Sequence, residues 1–135
     1  MPKPKVLFVC VENSCRSQMA EGLARRLWGQ KVEVHSAGSR PSGKVDPGAV
    51  AAMRAQGIDI SANASKGLDA LGEVEWDCVV TMGCGDECPF LKAKRRVDWD
   101  LEDPKGKGPT AYLAAIKKIR SGLRKISSLP DTPAS

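Results

Sequence analysis

Apolar residues fall along the chain in runs that predict strands alternating with helices. The continuous apolar run at Lys5–Cys10 predicts a strand covered on both faces, as in a parallel sheet. After a polar loop, apolar residues recur at helical spacing through residues 17–28, which predicts the first helix. Brief alternation at residues 32–36 predicts a second strand, and the turn residues of 37–43 predict a loop.

Predicted strands and helices continue to alternate through the second half of the chain. Asp46 is the predicted N-cap, Pro47 suits the first helical position, and Gly57 predicts a helix end after about Gln56. The remaining predicted elements are a short helix within 61–75, a buried strand at 76–82, a short strand at 96–99, a helix from about Thr110 and a frayed tail at 130–135. This order predicts a single α/β domain over residues 1–135, with a parallel sheet of about four strands.

Length and charge narrow the class of protein. With 135 residues, of which 41% are hydrophobic, the chain can bury one core without disulfides or metals. Its formal charge of +5 favours anionic ligands. The apolar run near the N-terminus is too short for a membrane span, so we expect a cytoplasmic protein with no membrane partner. The basic run at 92–96 has few aromatic residues around it, so we expect a solvated surface and no nucleic-acid partner.

The five cysteines lie in two clusters. Cys10 and Cys15 form the first, and Cys78, Cys84 and Cys88 form the second. An odd number cannot pair completely within one chain. In a reducing cytosol, this favours catalysis, redox work or metal binding over a structural disulfide framework.

The segment between the first strand and the first helix carries the strongest chemical signal. It begins with Cys10 and ends, after five residues, with Arg16 and Ser17; the intervening residues are Val11, Glu12, Asn13, Ser14 and Cys15. A loop entering a helix N-terminus presents free backbone N–H groups to one point, where they bind a tetrahedral anion. Arg16 can hold two oxyanion oxygens, and the same field favours the thiolate of Cys10 as a nucleophile.

Two smaller features of this loop support the interpretation. Ser17 can donate a hydrogen bond to the Cys10 sulfur, and Asn13 tolerates left-handed backbone angles. The alternative is that Cys10 is a buried cysteine at a strand end and Arg16 a surface cap. The strand before the loop and the helix after it favour nucleophilic attack of sulfur on phosphate, arsenate or a close analogue.

Residues 10–22 resemble the active-site signature of the arsenate reductases that share the low-molecular-weight tyrosine phosphatase fold. Further landmarks follow in the same order, so the resemblance covers residues 5–127; they are 36–38, 57–61, 79–82 and 103–104. The resemblance implies a four-stranded parallel sheet flanked by helices. Gln18 and Lys105 stand where the phosphatases carry Pro and an aromatic residue, which favours the reductases.

The resemblance also implies a role for the second cysteine cluster. Reducing arsenate to arsenite takes two electrons, and Cys84 followed by Cys88 can supply them through a disulfide relay that starts at Cys10. Thioredoxin is the implied electron donor, and a small thiol with a glutaredoxin- or mycoredoxin-like protein is the alternative. Two other readings remain open: a zinc site made from Cys78, Cys84 and Cys88, or inert buried thiols.

Asp103 is the predicted general acid, because hydroxide or alkoxide leaves poorly until it is protonated. The alternative is that Asp103 and Pro104 only form a turn. In some relatives a potassium ion is held by residues resembling Asn13, Glu21, Ser36 and a further carboxylate. Here Lys66 aligns with that carboxylate, so its ammonium can take the place of the ion, and we predict no required metal and no cofactor.

These inferences combine into one leading hypothesis: a monomeric, cytoplasmic arsenate reductase that serves arsenic detoxification. Two rival functions belong to different classes. A low-molecular-weight protein tyrosine phosphatase hydrolysing phosphate monoesters needs only Cys10, Arg16 and Asp103. A non-enzymatic sensor of oxyanions or metalloids would bind arsenite through Cys10, Cys84 and Cys88 without turnover.

Overall fold

Four parallel strands form one sheet in the computed structural model, which describes residues 3–72, 74–82 and 91–126. Their order across the sheet is β2-β1-β3-β4, and their bounds are β1 Lys5–Cys10, β2 Glu33–Gly38, β3 Trp76–Met82 and β4 Ala93–Trp99. The helices are α1 Arg16–Trp28, α2 Pro47–Ala55 and α3 Pro109–Lys125, with short 3₁₀ turns at Gly29–Lys31 and Leu68–Leu71. The predicted fold class is confirmed.

The central strand β1 explains why its sequence is apolar without alternation. Val6 and Phe8 belong to a large cluster with the buried sides of all three helices, whereas Leu7 and Val9 belong to a smaller cluster with Trp76. All four of these β1 side chains are fully buried. The prediction of a strand covered on both faces is therefore confirmed.

Helix α2 begins as its sequence predicts. The Asp46 carboxylate accepts a hydrogen bond from the amide of Gly48, and Pro47 occupies the first turn. The second Asp46 carboxylate oxygen accepts a hydrogen bond from the Tyr112 hydroxyl, which joins α2 to α3. Burial, the bond to Asp46 and its negative charge raise the Tyr112 pKa, so the phenol stays protonated and donates.

The predicted short helix and the predicted end of the second strand differ from the observed elements. The helix predicted within 61–75 is only the 3₁₀ turn Leu68–Leu71, because four residues between two glycines cannot complete a stable α-helix. Strand β2 continues to Gly38 instead of ending at 36, since Ala37 and Gly38 pair with Val9 and Cys10. The tail at 130–135 lies outside the described residues.

The predicted fourth strand is longer than its apolar residues indicated. It begins at Ala93 and includes most of the basic run, with every second residue exposed. Within the part of the chain that the structure describes, strand β4 pairs only with β3, so it is an edge of the sheet. Lysine and arginine on an edge strand disfavour pairing with another chain. This effect explains why basic residues occur in this strand.

The parallel strands bring three loops to one end of the sheet. Cys10 and Gly38 are register partners at the ends of β1 and β2, and β4 ends nearby at Trp99. Ligand sites of open α/β sheets form at the carboxyl ends of strands. No helix among the described residues is long and apolar enough to cross a bilayer.

We expect Gly122→Ala to destabilise the fold although alanine is the better helix former. A Cβ at position 122 would lie 2.5 Å from the Trp99 indole, which packs against Phe8 at a ring-centroid distance of 5.9 Å. The expected loss in the free energy of unfolding is about 1–3 kcal/mol, measured by urea denaturation. Ser121→Ala, at the neighbouring exposed position, is the control and should change stability by no more than about 0.5 kcal/mol. Equal stability of the two variants would contradict this packing account.

Candidate active site

A cavity of about 430 Å³ opens at the carboxyl end of the sheet, where β1 turns into α1. Three loops contribute to it: residues 11–15 after β1, the loop after β2 and the loop between β4 and α3. Its lining residues are Cys10, Val11, Glu12, Ser14, Cys15, Arg16, Arg40, Asp103 and Lys105. Sequence reasoning placed most of these residues at one site, and the structure brings them together.

The backbone of the loop after β1 is turned with its carbonyls away from the cavity. Three of them, and the carbonyl of Cys10 at the end of β1, accept hydrogen bonds from amides of the segment after β2: Ser39 to Cys10 (3.3 Å), Arg40 to Val11 (2.8 Å), Ser42 to Glu12 (3.0 Å) and Asp46 to Ser14 (2.9 Å). The C=O and N–H of a trans peptide point in opposite directions. The loop amides are therefore directed toward the cavity side, as a site for an anion requires.

Asn13 holds this loop in shape. Its φ of 50° lies in the left-handed region that asparagine tolerates better than most residues, and its side chain is fully buried. The amide oxygen accepts hydrogen bonds from Gln18 Nε2 at 3.0 Å and from the Lys66 amide at 2.7 Å. Its amide nitrogen donates to Ser17 Oγ at 2.8 Å. Asn13 thus fixes both the loop and the hydroxyl next to the cavity.

The Cys10 sulfur lies 2.8 Å from Ser17 Oγ. Because Asn13 already donates to that oxygen, the Ser17 hydroxyl proton is free to point at the sulfur. A hydrogen bond donated to the sulfur orients it relative to the loop. This arrangement suits a nucleophile at the floor of an anion site.

Arg16 joins two walls of the cavity. Its Nη1 donates to the Leu101 carbonyl at 3.1 Å, and its Nη2 lies 3.9 Å from Asp103 Oδ2. The Arg16 side chain is 12% exposed, whereas that of Asp103 is 42% exposed. Asp103 also accepts a hydrogen bond from the Lys105 amide, which orients the carboxylate on the wall facing the loop.

The other described cysteines are suited to remain thiols. Burial, followed by the charges of Asp103 and Asp46, raises the pKa of Cys15 far above its ordinary value. Burial likewise raises the pKa of Cys78 to about 11, and Cys78 is fully buried in β3. The proposed second-cluster residues Cys84 and Cys88 lie outside the described residues, as does any zinc site that needs them.

The buried Glu21 carboxylate beneath the loop does not fit a potassium site. Its oxygens accept hydrogen bonds from Ser36 Oγ at 2.9 Å and Asn63 Nδ2 at 3.1 Å. Two cations already balance its charge, with Arg25 Nη1 at 3.3 Å and Lys66 Nζ at 3.9 Å. A further cation would compete with these donors and be repelled by the ammonium. The Lys66 ammonium thus lies within ion-pair distance of Glu21, one of the residues of the expected ion site, and its taking the place of the ion stays a prediction.

Sequence reasoning missed several residues that shape the site. Arg40 lines the cavity, yet its loop was identified only by its turn residues. Ser65 supports the loop from outside by donating to the Glu12 carbonyl at 2.9 Å. Arg40 follows the end of a strand next to β1, and that position is the signal that could have identified it.

The sequence and structure comparisons with known proteins agree on one family. Residues 5–129 match the low molecular weight phosphotyrosine protein phosphatase family. A protein of Synechocystis sp. named glutaredoxin arsenate reductase is 43% identical over 125 residues, which cover 90% of this chain and 95% of that protein. A solved arsenate reductase in the phosphate binding state is 35% identical with a TM-score of 0.82, covering 91% of this chain and 95% of the other. The thioredoxin-dependent arsenate reductase of Corynebacterium glutamicum is 37% identical with a TM-score of 0.76, covering 93% of this chain and 60% of the other.

We expect Gly38→Ala to weaken oxyanion binding. A Cβ on Gly38 would lie 2.5 Å from the Val11 carbonyl oxygen and 2.8 Å from the Asn13 nitrogen, so the loop backbone would have to move. Phosphate binding measured by calorimetry should weaken by about 10-fold or more.

Gly67→Ala is the matched control for this substitution. Its Cβ would meet only the Pro41 ring, at 3.3 Å, and its φ of −85° suits alanine. Phosphate affinity should therefore stay near that of the unchanged protein. Unaltered phosphate affinity in a folded Gly38→Ala variant would contradict the close approach of β2 to the loop.

Proposed function

The chain belongs to the low molecular weight phosphotyrosine protein phosphatase family, and within it we propose that this protein is an arsenate reductase. The observation that carries the proposal is the Cys10 sulfur, which contacts Ser17 Oγ at 2.8 Å in a cavity lined by Arg16 and Asp103. Similarity to arsenate reductases over about nine-tenths of the chain supports the choice of reaction. The role in arsenic detoxification follows from that reaction.

The first step is attack of the Cys10 thiolate on arsenic. The loop amides and Arg16 hold the arsenate oxygens and stabilise the charge that develops as the bond to sulfur forms. Asp103 lies on the cavity wall that faces the loop after β1. It protonates the departing oxygen, so that water leaves in place of hydroxide. The product is an arsenic(V) centre bound to the Cys10 sulfur.

The second step transfers two electrons to arsenic. The Cys84 thiolate attacks the Cys10 sulfur, a Cys10–Cys84 disulfide forms, and the electron pair of the S–As bond goes to arsenic, which leaves as arsenite. Cys88 then attacks the Cys84 sulfur, which frees Cys10 and leaves a Cys84–Cys88 disulfide. The supporting argument is chemical, since one thiol cannot supply both electrons.

An external thiol must then reduce the disulfide. We propose thioredoxin, supported by the similarity to a thioredoxin-dependent reductase. The relative named glutaredoxin arsenate reductase supports the alternative, a small thiol acting with a glutaredoxin- or mycoredoxin-like protein. We propose that the protein works as a monomer in the cytoplasm, where such reductants keep cysteines reduced.

Phosphatase activity is the second candidate because Cys10, Arg16 and Asp103 are sufficient for it. Gln18 and Lys105 argue against it as the main activity. Gln18 Nε2 donates to the Asn13 side chain, as well as to the Asn13 and Ala64 carbonyls, and so belongs to the support of the loop. A proline at this position could make none of these bonds.

The test is arsenate-dependent NADPH consumption in the presence of thioredoxin and thioredoxin reductase. We expect turnover by the unchanged protein and its loss, by at least about 100-fold, in Cys84→Ser and Cys88→Ser, because each variant interrupts the relay. Both variants should retain cleavage of an aryl phosphate, which needs only the loop and the acid.

Cys78→Ala is the matched control, since Cys78 is fully buried in β3 and the relay does not use it. It should retain arsenate turnover. If arsenate is reduced only with a small thiol and its glutaredoxin-like partner, that pair replaces thioredoxin as the proposed electron donor. Aryl phosphate cleavage without arsenate reduction under any donor would contradict the proposed function.

A further inference from the structure

Two oppositely charged side chains meet at the mouth of the cavity from different loops. Glu12 Oε1 and Lys105 Nζ are 3.5 Å apart, and both side chains line the cavity. Each side chain is nearly half exposed, at 46% for Glu12 and 42% for Lys105. The pair therefore stands between the anion site and solvent.

The backbone beneath Glu12 is fixed on one rim. Its carbonyl accepts hydrogen bonds from the Ser42 amide at 3.0 Å and from Ser65 Oγ at 2.9 Å. These bonds hold the carbonyl outward, and the side chain lies on the cavity side. The carboxylate consequently has little freedom to leave the rim by backbone movement.

The backbone beneath Lys105 is fixed on the opposite rim. Its amide donates to Asp103 Oδ1 at 3.1 Å, and the Lys107 amide donates to the Pro104 carbonyl at 3.0 Å, which closes a turn. Arg16 holds the same loop through the Leu101 carbonyl. The Glu12–Lys105 ion pair thus spans two anchored rims.

A carboxylate at the mouth of an anion site is unfavourable unless a cation neutralises it. Lys105 supplies that cation, so a small dianion can pass without meeting an uncompensated negative charge. An aryl group attached to the anion would lie against the pair and remove water from both charges. No aromatic side chain is among the described residues that line the cavity.

We propose that the Glu12–Lys105 ion pair determines specificity, selecting compact inorganic oxyanions over aryl phosphoesters. The proposal rests on the anion site of the proposed function but requires only binding, not reduction. Glu12 then contributes its side chain as well as its backbone amide. Lys105 contributes a positive charge and does more than replace an aromatic residue.

The test compares inorganic phosphate with phenylphosphonate, which cannot be hydrolysed, by calorimetry at low salt. The proteins are the unchanged chain, Glu12→Gln, Lys105→Met and the double variant. Lys105→Met should weaken phosphate binding by about 5-fold, because it leaves Glu12 unpaired. The double variant should bind phosphate within about 2-fold of the unchanged protein but should favour phenylphosphonate, relative to phosphate, by about 10-fold more.

Lys107→Met is the matched control, because Lys107 lies in the same loop but pairs with Glu102 and does not line the cavity. It should leave the affinity ratio of the two ligands unchanged. A ratio that is the same in all four proteins, or that Lys107→Met shifts as much as the double variant, would overturn the inference. Neither ligand is reduced, so these results are independent of whether the protein reduces arsenate.

Discussion

Between Cys10 and Arg16 the backbone N–H groups are directed toward the cavity and the carbonyls toward the rest of the protein. The site depends on this orientation. Turning several amides toward one cavity leaves their carbonyls facing the protein, where a buried carbonyl without a partner is costly. The segment after β2 supplies the donors, through the amides of residues 39, 40, 42 and 46. Gly38 lets that segment approach, since any Cβ there would collide with the Val11 carbonyl.

This constraint extends into the helices. Asp46 donates its amide to Ser14, caps α2 with one carboxylate oxygen and accepts from Tyr112 of α3 with the other. Beneath the loop, the Asn13 side chain links Ser17 to Gln18. The charge of Glu21 is balanced there by Arg25 and Lys66. Cys10 and the loop after it are therefore held by contacts that reach all three helices, which explains how a polar loop can lie beside a hydrophobic core.

The sequence predicted best where local pattern and chemistry agree. The apolar run of β1, the loop from Cys10 to Arg16 and the helical spacing after it all indicate the same strand, loop and helix. Arg40 and Gly38 could not be assigned roles in this way, because their importance comes from the register that sets β2 beside β1. The residues within 61–75 were misjudged for a related reason, since their shape follows from contacts such as the Gly38–Gly67 bridge rather than from helical periodicity.

We propose above that the chain itself supplies both electrons to an oxyanion held at Cys10. In the experiment, the fully reduced protein is mixed with arsenate without any external reductant. Arsenite and the remaining thiols are quantified after rapid quenching. We expect a stoichiometric release of arsenite with loss of two thiols for each chain, and none from Cys10→Ser. If the fully reduced, folded protein released no arsenite until an external thiol was added, the electrons would not come from the chain.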